Sequence, residues 1–389
     1  MNLSYWEKES FFKCVDVAII GSGIVGLSAA IRLKELSPKR KVMILERGSL
    51  PAGASTRNAG FACFGSMTEL LDDLENQSED AVFSLVEKRW KGLLRLRKRV
   101  GDAHLKFQNL GGFELFRQEE ATIFGQCADR IDFFNKKLKT IIGQKEVYQI
   151  ADEKINNFGF GKIQHLIHNQ AEGQLHTGEM MRALLRLAQE KGIKIMNGIF
   201  IKKINDTGNS VVLETDDGWE LKFKKVIIAT NGFAKTLVDT PKVTPARNQV
   251  LITKPLKNNL IKGTFHYDKG YFYFRNIDGR ILLGGGRHLA RQQEATDQFG
   301  TTKFIQNTLI DLLKNVILPN QKFEIESVWS GILGIGDTKK PMVQRRSKNV
   351  VVAVRLGGMG VAMGSLVGEE GAELLNERSS LKTIFYTRD

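Results

Sequence analysis

The sequence predicts an α/β protein: one domain around a central parallel sheet, and a second, interleaved α+β domain with a mixed or antiparallel sheet. Three observations predict it. Near the start, an apolar strand (17–20) runs through Gly21, Gly23 and Gly26 into an Ala-rich helix (27–36), and a second apolar strand (42–45) then delivers Glu46. Far along the chain, two further β-branched runs, 226–228 and 350–354, lead into glycine-bearing turns. Between them lie alternating, aromatic-rich segments at 250–253, 271–275 and 280–283, the pattern of an antiparallel sheet.

The first unit carries its chemistry in its spacing. Gly21 permits a tight turn, Gly23 lets backbone approach a pyrophosphate, and Gly26 allows close packing of helix on strand. Ser22, Ile24 and Val25 complete that turn, and the helix start offers unpaired N–H groups and a positive dipole end to phosphates. Glu46 follows Gly26 by 20 residues. From there a carboxylate accepts hydrogen bonds from ribose hydroxyls and disfavours a 2′-phosphate, with Arg47 beside it. GxGxxG alone is a weak signal. Strand, glycines, helix, second strand and acid in register are specific, and they predict dinucleotide binding.

The rest of the chain is ordinary in composition. Its 389 residues are 42% hydrophobic and 26% charged, enough for one large or two interleaved globular domains. Cys14, Cys63 and Cys127 are widely spaced, with no CxxC, which argues against a disulfide framework, a zinc site or a thiol-redox flavoprotein. No metal is expected. The N-terminus lacks a basic-then-apolar leader and no apolar run approaches the length of a membrane span, so a cytoplasmic protein without an integral membrane segment is expected. The net charge of +14 either attracts anions or coats a solvated face. The segment 88–99 favours the second reading: Leu93, Leu94, Leu96 and Val100 fit one face of a helix, leaving the charges to coat the other.

In order, residues 1–12 read as a short element docked on the body, 69–105 as helical, 111–116 as a strand after a turn and 119–142 as a helix. A turn at 169–176 precedes a helix at 177–191, with short strands at 193–204, 211–215 and 221–225 and a closing helix to about 375. The expected division is discontinuous. Residues 1–80, 150–240 and 325–389 are assigned to the nucleotide-binding domain, and 81–149 and 241–324 to the substrate domain.

In motif order the chain resembles the D-amino-acid oxidase-like family of FAD-dependent oxidoreductases, which includes glycine, sarcosine and glutamylputrescine oxidases. The resemblance rests on the N-terminal fingerprint, Gly53-Ala-Ser-Thr-Arg-Asn-Ala-Gly60, the strand end Ala229-Thr-Asn-Gly232, Trp329-Ser-Gly331 and the turn Gly357-Gly-Met-Gly360. Ser4-Tyr-Trp6 is similar to the glutamylputrescine oxidase-like branch. The resemblance implies a Rossmann-like domain binding FAD rather than NAD. It also implies oxidation of the C–N bond of an amine or amino acid by hydride transfer to flavin N5, giving an imine and then a carbonyl product.

Within that frame, Ala54, Ser55, Arg57, Asn58, Ala59 and Gly60 form a loop that either follows the cofactor toward its flavin end or is plain surface. In the first case its N–H groups, Ser55 and Arg57 hold pyrophosphate or ribityl oxygens, and Asn58 approaches the ring. Ala229, Thr230, Gly232 and Gly331 allow close approach. Gly357, Gly358, Met359 and Gly360 precede a helix, directing N–H groups at flavin N1 and O2, where reduction places negative charge.

The substrate end departs from the family. Amino-acid-oxidising members follow Trp-Ser-Gly-Leu with an arginine for the substrate carboxylate, and here Leu333 stands there. A leucine cannot replace a bidentate guanidinium. Arg247, Arg275, Arg287 and Arg345 are the candidate replacements. Tyr267, Tyr271 and Tyr273 either wall the substrate site or pack in the core; His288 either handles a proton or is structural. Tyr271, Tyr273, Arg287 and His288 make up the candidate catalytic set. Residues 334–341 lack the cysteine that tethers flavin in sarcosine oxidase-like members, so FAD is expected to be non-covalent. Ile281-Leu-Leu-Gly284 lies where those members carry an oxygen-activating lysine, which leaves the electron acceptor as oxygen or another species. Two other readings stand: a flavoprotein module acting on a modified tRNA base, and a cofactor holder without turnover. Nucleic acid is not an expected partner, because no RNA-binding motif is present.

Overall fold

The computed structural model describes residues 3–238 and 242–377. The strands of its two main sheets, in chain order, are β1 (Val17–Ile20), β2 (Val42–Glu46), β3 (Gly112–Phe116), β4 (Tyr148–Ile150), β5 (His165–Asn169), β6 (Lys194–Asn197) and β7 (Lys225–Ile228), followed by β8 (Thr244–Thr253), β9 (Thr264–Tyr267), β10 (Phe272–Ile277), β11 (Arg280–Gly285), β12 (Ile325–Ile335), β13 (Met342–Arg345) and β14 (Val350–Val354). Among the described residues, the first sheet has the order β13-β14-β7-β1-β2-β6, parallel except for β13. The second has the order β12-β8-β11-β10-β9-β3-β5-β4, antiparallel except where β9 meets β3. Both expected sheets are thus present.

Alternation along the strands sets the layers. Val17 and Ile19 face a helical layer containing α1 (Ile24–Leu36), while Ala18 and Ile20 face the opposite core beneath a small antiparallel sheet at 201–223. In the second sheet Phe265, Phe272, Phe274 and Leu283 pack against the helix at 303–312. The intervening residues His266, Tyr273 and Arg275 therefore point to the other side, where the two sheets face a common cavity.

Several expectations are corrected. Residues 165–169 and 325–335, expected in the nucleotide-binding domain, supply β5 and β12 of the second sheet, because β3 and β8 satisfy their backbone groups. The outer ends of the expected segments, residues 1, 240 and 389, lie outside the described residues. The helical stretch 69–105 divides into α2 (Met67–Asn76), α3 (Glu79–Val100) and a short turn (Asp102–Leu105), cut by the Ser78 N-cap and by Gly101 at φ +89°. The cations of α3 coat a solvated face only in part: Lys91 and Lys98 are exposed, but Arg89 and Arg99 turn inward. These arginine side chains are buried because α3 packs between α2, whose Glu69 receives Arg89, and the closing helix α4 (Gly360–Asn376), whose Glu369 receives Arg99. At the N-terminus Leu3 and Phe12 pack against the body and Lys194 donates to the Ser10 and Phe11 carbonyls, whereas Tyr5 and Trp6 stand 66% and 72% exposed.

Candidate active site

The nucleotide end is built by the first strand–helix–strand unit. Gly21 adopts φ +102°, and a Cβ on Gly26 would lie 1.9 Å from the Gly21 carbonyl oxygen, so helix and turn touch through backbone alone. The Ser22 N–H and hydroxyl donate to Glu46 Oε2 at 2.9 and 2.6 Å, and the Gly48 N–H donates to Oε1 at 3.0 Å. Those bonds hold the carboxylate at the end of β2 in the wall of a pocket shared with Gly21, Gly23, Ile24 and Val25. Arg47 lies in the same wall, its guanidinium 3.6 Å from the Phe233 ring centroid, and burial lowers its pKa.

Loop 54–60 folds over the start of α1. Ser55 Oγ accepts the Ile24 N–H at 3.0 Å, while Ala54, Ser55 and Asn58 line the pocket. Ala229 and Thr230 line it from the end of β7, and the Thr230 hydroxyl oxygen is buried there with no hydrogen-bond partner. Ser22, Gly26 and Gly232 line neither pocket but shape them. Ser22 fixes Glu46, and a Cβ on Gly232 would lie 2.4 Å from the Leu333 carbonyl oxygen.

A second cavity, of about 550 Å³, shares Ala54, Asn58, Leu333, Leu356, Gly357, Gly358 and Val361 with the first pocket. The two adjoin along these shared walls. Gly360 stands at the nucleotide side, while Arg57, Ala59, Gly60, Gly331 and Met359 face the larger cavity. Gly357 and Gly358 precede α4, and a Cβ on either would meet no atom within 4 Å. The space above that turn is open to a bound group, and N–H groups at the helix start would face it. Two adjoining pockets, a placed carboxylate at one end, an orphaned buried hydroxyl and a glycine turn at a helix start fit FAD.

The side chains of loop 54–60 are more committed than the sequence suggests. The Asn58 amide donates to the Ala54 and Ser55 carbonyls (3.2 and 2.8 Å), and its oxygen accepts from the Gly60 N–H (2.9 Å) and the Thr177 hydroxyl (3.0 Å). It holds the loop shape rather than reaching out. The Arg57 guanidinium donates to the Ser330 carbonyl at 3.1 Å and lies over Phe299.

The four candidate arginines have separate fates. Arg275 is buried and donates to the Ala59, Gly60 and Leu175 carbonyls at 3.1, 3.1 and 2.7 Å, with burial lowering its pKa to about 10. Arg247 forms a two-pronged pair with Glu294 at 2.8 and 2.9 Å, and Arg345 caps the Lys348 and Leu374 carbonyls. Arg287 alone of the four lines the cavity wall, and among the described residues it makes no hydrogen bond or ion pair. Burial lowers its pKa.

Tyr271 and Tyr273 also line the cavity. The Asn248 amide donates to the Tyr273 hydroxyl oxygen at 2.8 Å, leaving the O–H free to donate, and burial raises that phenol. Tyr267 lies outside the cavity lining, beneath the Arg117 guanidinium. His288 is not in the lining either. It stacks on Tyr271 with ring centroids 4.3 Å apart, and its Nε2 lies 2.9 Å from Asp268 Oδ2.

Sequence reasoning missed much of this wall. Glu69, Arg89 and Lys339 line it, with Arg89 Nη2 and Lys339 Nζ at 3.1 and 3.0 Å from Glu69 Oε1, and Asp73 2.8 Å from Lys339. Burial pulls the Glu69 carboxyl upward, but the two cations outweigh it and bring it down to about 2. Cys63, Glu172 and His266 also meet there. The spacing argument against a metal cluster was blind to them, since they come from three distant segments. The available signal was that Cys63 follows the 53–60 motif by three residues.

Residues 16–374 match the model of the DAO family, described as FAD dependent oxidoreductase. The chain is 24% identical over 378 residues to a probable oxidoreductase OrdL of Rhizobium meliloti, covering 94% of this chain and 84% of that protein. It is 23% identical over 376 residues to the gamma-glutamylputrescine oxidoreductase of Escherichia coli, covering 92% and 83%. Its fold is similar to glycine oxidase from Geobacillus kaustophilus, with a TM-score of 0.74, 19% identity, and coverage of 94% and 95%. The chain belongs to the DAO family of FAD-dependent oxidoreductases and is an FAD-binding enzyme of that family.

Proposed function

We propose that this enzyme oxidises the C–N bond of an amine or amino acid that carries an anionic group. The observation that carries the reading is the shared wall: Gly357, Gly358 and Leu356 line both the nucleotide pocket and the 550 Å³ cavity. A substrate in the cavity thus lies against the same turn as the far end of the cofactor. The similarity to a gamma-glutamylputrescine oxidoreductase and to a glycine oxidase supports nitrogen-bearing substrates.

When bound, FAD supplies the two-electron acceptor, without a covalent tether. Glu46, held by Ser22, binds its ribose, and the backbone of 21–26 and 54–60 follows its phosphates. The protein's work at the other end is placement. Arg287 takes the anionic group of the substrate, because the acids that line this cavity are already paired: Glu69 with Arg89 and Lys339, Asp72 with Lys269, and Glu294 with Arg247. The Tyr273 hydroxyl, fixed by Asn248, donates to a substrate oxygen, and Tyr271 closes the wall with His288 positioned behind it. Leu333, Leu356, Phe61 and Val250 keep the reacting carbon in apolar surroundings. The carbon bearing a neutral amine loses hydride as the nitrogen lone pair forms the C=N bond, and the nitrogen releases a proton. Water then hydrolyses the imine to a carbonyl and free amine.

The test is anaerobic mixing of the yellow protein with D-amino acids, N-methyl amino acids and polyamine conjugates, followed at the flavin band. Bleaching by at least one anionic amine is the expected result; a flavin that none of them reduces would overturn the reading. Oxygen uptake during turnover then separates oxygen from another electron acceptor.

A further inference from the structure

Cys63 and His266 line the cavity and Glu172 lies behind them, with the ligand atoms of all three within 4.8 Å of one another. All three residues are buried, at 6%, 1% and 8% exposure. Each donor arrives by a separate constraint. A two-stranded ladder pairs Ala62 with Gly173, which sets Cys63 beside Glu172. The Phe64 N–H donates to Glu172 Oε1 at 3.2 Å, leaving Oε2 directed at His266. Gly112 makes room for that oxygen, since a Cβ there would lie 2.2 Å from it. On the other side, His266 Nε2 is buried without a hydrogen-bond partner, 3.4 Å from Glu172 Oε2. A buried nitrogen met only by this long ion-pair contact is incompletely satisfied. The fourth side holds a second sulfur: Met359 Sδ lies 3.9 Å from Cys63 Sγ.

We propose that these three side chains form a site for a zinc-class transition ion in the wall of the substrate cavity. One sulfur, one imidazole nitrogen and one carboxylate oxygen suit a borderline-soft cation, whereas magnesium and calcium require oxygen donors. Thiolate and carboxylate together neutralise a dication, so the filled site is electrically balanced despite its burial. Binding displaces the thiol proton and the proton that His266 Nε2 presents to Glu172, both released to solvent, and Zn–S, Zn–N and Zn–O bonds replace the S–H bond, the N–H bond and the ion pair. Bond lengths of about 2.0–2.3 Å ask only for small side-chain contraction from the present spacing. Cys63 and His266 line the cavity, which supplies the entry path and leaves the fourth position to Met359 or water.

The experiment is equilibrium dialysis of the FAD-loaded protein against Zn²⁺, with bound metal and flavin quantified together. The expected result is one zinc per chain, lost at least tenfold in Cys63→Ser and His266→Gln and retained in Cys14→Ser. Absence of stoichiometric zinc in the parent protein, or its retention in both cavity variants, overturns the proposal. Alkylation of the parent protein gives a readout independent of flavin retention in those variants. Zinc should slow labelling of Cys63 at least tenfold while labelling of the exposed Cys14 is unchanged, and equal slowing or none at all counts against the site.

Discussion

The two ends of the site are built in opposite ways. At the nucleotide end, backbone and small residues do most of the work: Gly21 and Gly26 touch through main chain, and one carboxylate, Glu46, is held by a serine 24 residues away. At the substrate end the wall is a mosaic of charged and aromatic side chains. Glu69, Arg89 and Lys339 share one ion-pair network, Glu294 closes on Arg247, and Arg287 is left with no partner among the described residues. A site made of backbone tolerates little change of shape. A site made of side chains can be re-specified one residue at a time.

The sharpest break of that contrast is Gly26→Ala. The new methyl would occupy the place of the Gly21 carbonyl oxygen, so a destabilisation of about 3 kcal/mol or more is expected. Flavin should be lost on gel filtration and the urea midpoint should fall. A variant that keeps its flavin would show that the nucleotide end is less rigid than its packing implies.

Acid should open the two ends in a definite order. Glu69 is held ionised to about pH 2 in the fold, against an ordinary value of 4.5, so its stabilisation is complete above pH 4.5 and disappears as pH falls toward 2. The group is worth on the order of 3 kcal/mol at neutral pH. Amide exchange in residues 67–100 should therefore accelerate between pH 4.5 and 2 before it does so in residues 17–46. In Glu69→Gln that acid dependence should flatten.

Arg287→Gln probes the free cation. It should weaken binding of an anionic amine by about 2 kcal/mol, roughly 30-fold, with flavin content unchanged. An amine lacking the anion should be affected less than twofold. Equal loss for both substrates would place the anion elsewhere. The smallest effect is expected from Glu46→Gln, which keeps one acceptor oxygen for Ser22 but loses the charge. FAD affinity should drop by about 1 kcal/mol, roughly fivefold, while substrate binding to the loaded enzyme stays the same.

The legibility of the molecule follows the same division. The fingerprint, its helix and the acid on β2 could be read directly, because a strand–helix–strand unit fixes their separations along the chain. The aromatic strands of the second sheet were readable by alternation, although the segments of β5 and β12 were expected in the nucleotide-binding domain and pair instead within the second sheet. Strand pairing is a contact between distant segments, and no local pattern names the partner. The basic stretch 88–99 misled for a related reason: its periodicity identified a helix, but only packing against α4 and α2 turned Arg89 and Arg99 inward.

From the residues alone, this chain is a dinucleotide-binding α/β protein whose motif order resembles FAD-dependent oxidoreductases. That much is set by local spacing, because the physics of a phosphate-binding turn needs fewer than forty consecutive residues. Which arginine is free, which are consumed by carbonyls, and that Cys63, Glu172 and His266 meet were decided only by the tertiary structure. Charge pairing in a cavity depends on what lies within a few ångströms, and here those neighbours come from segments up to 270 residues apart.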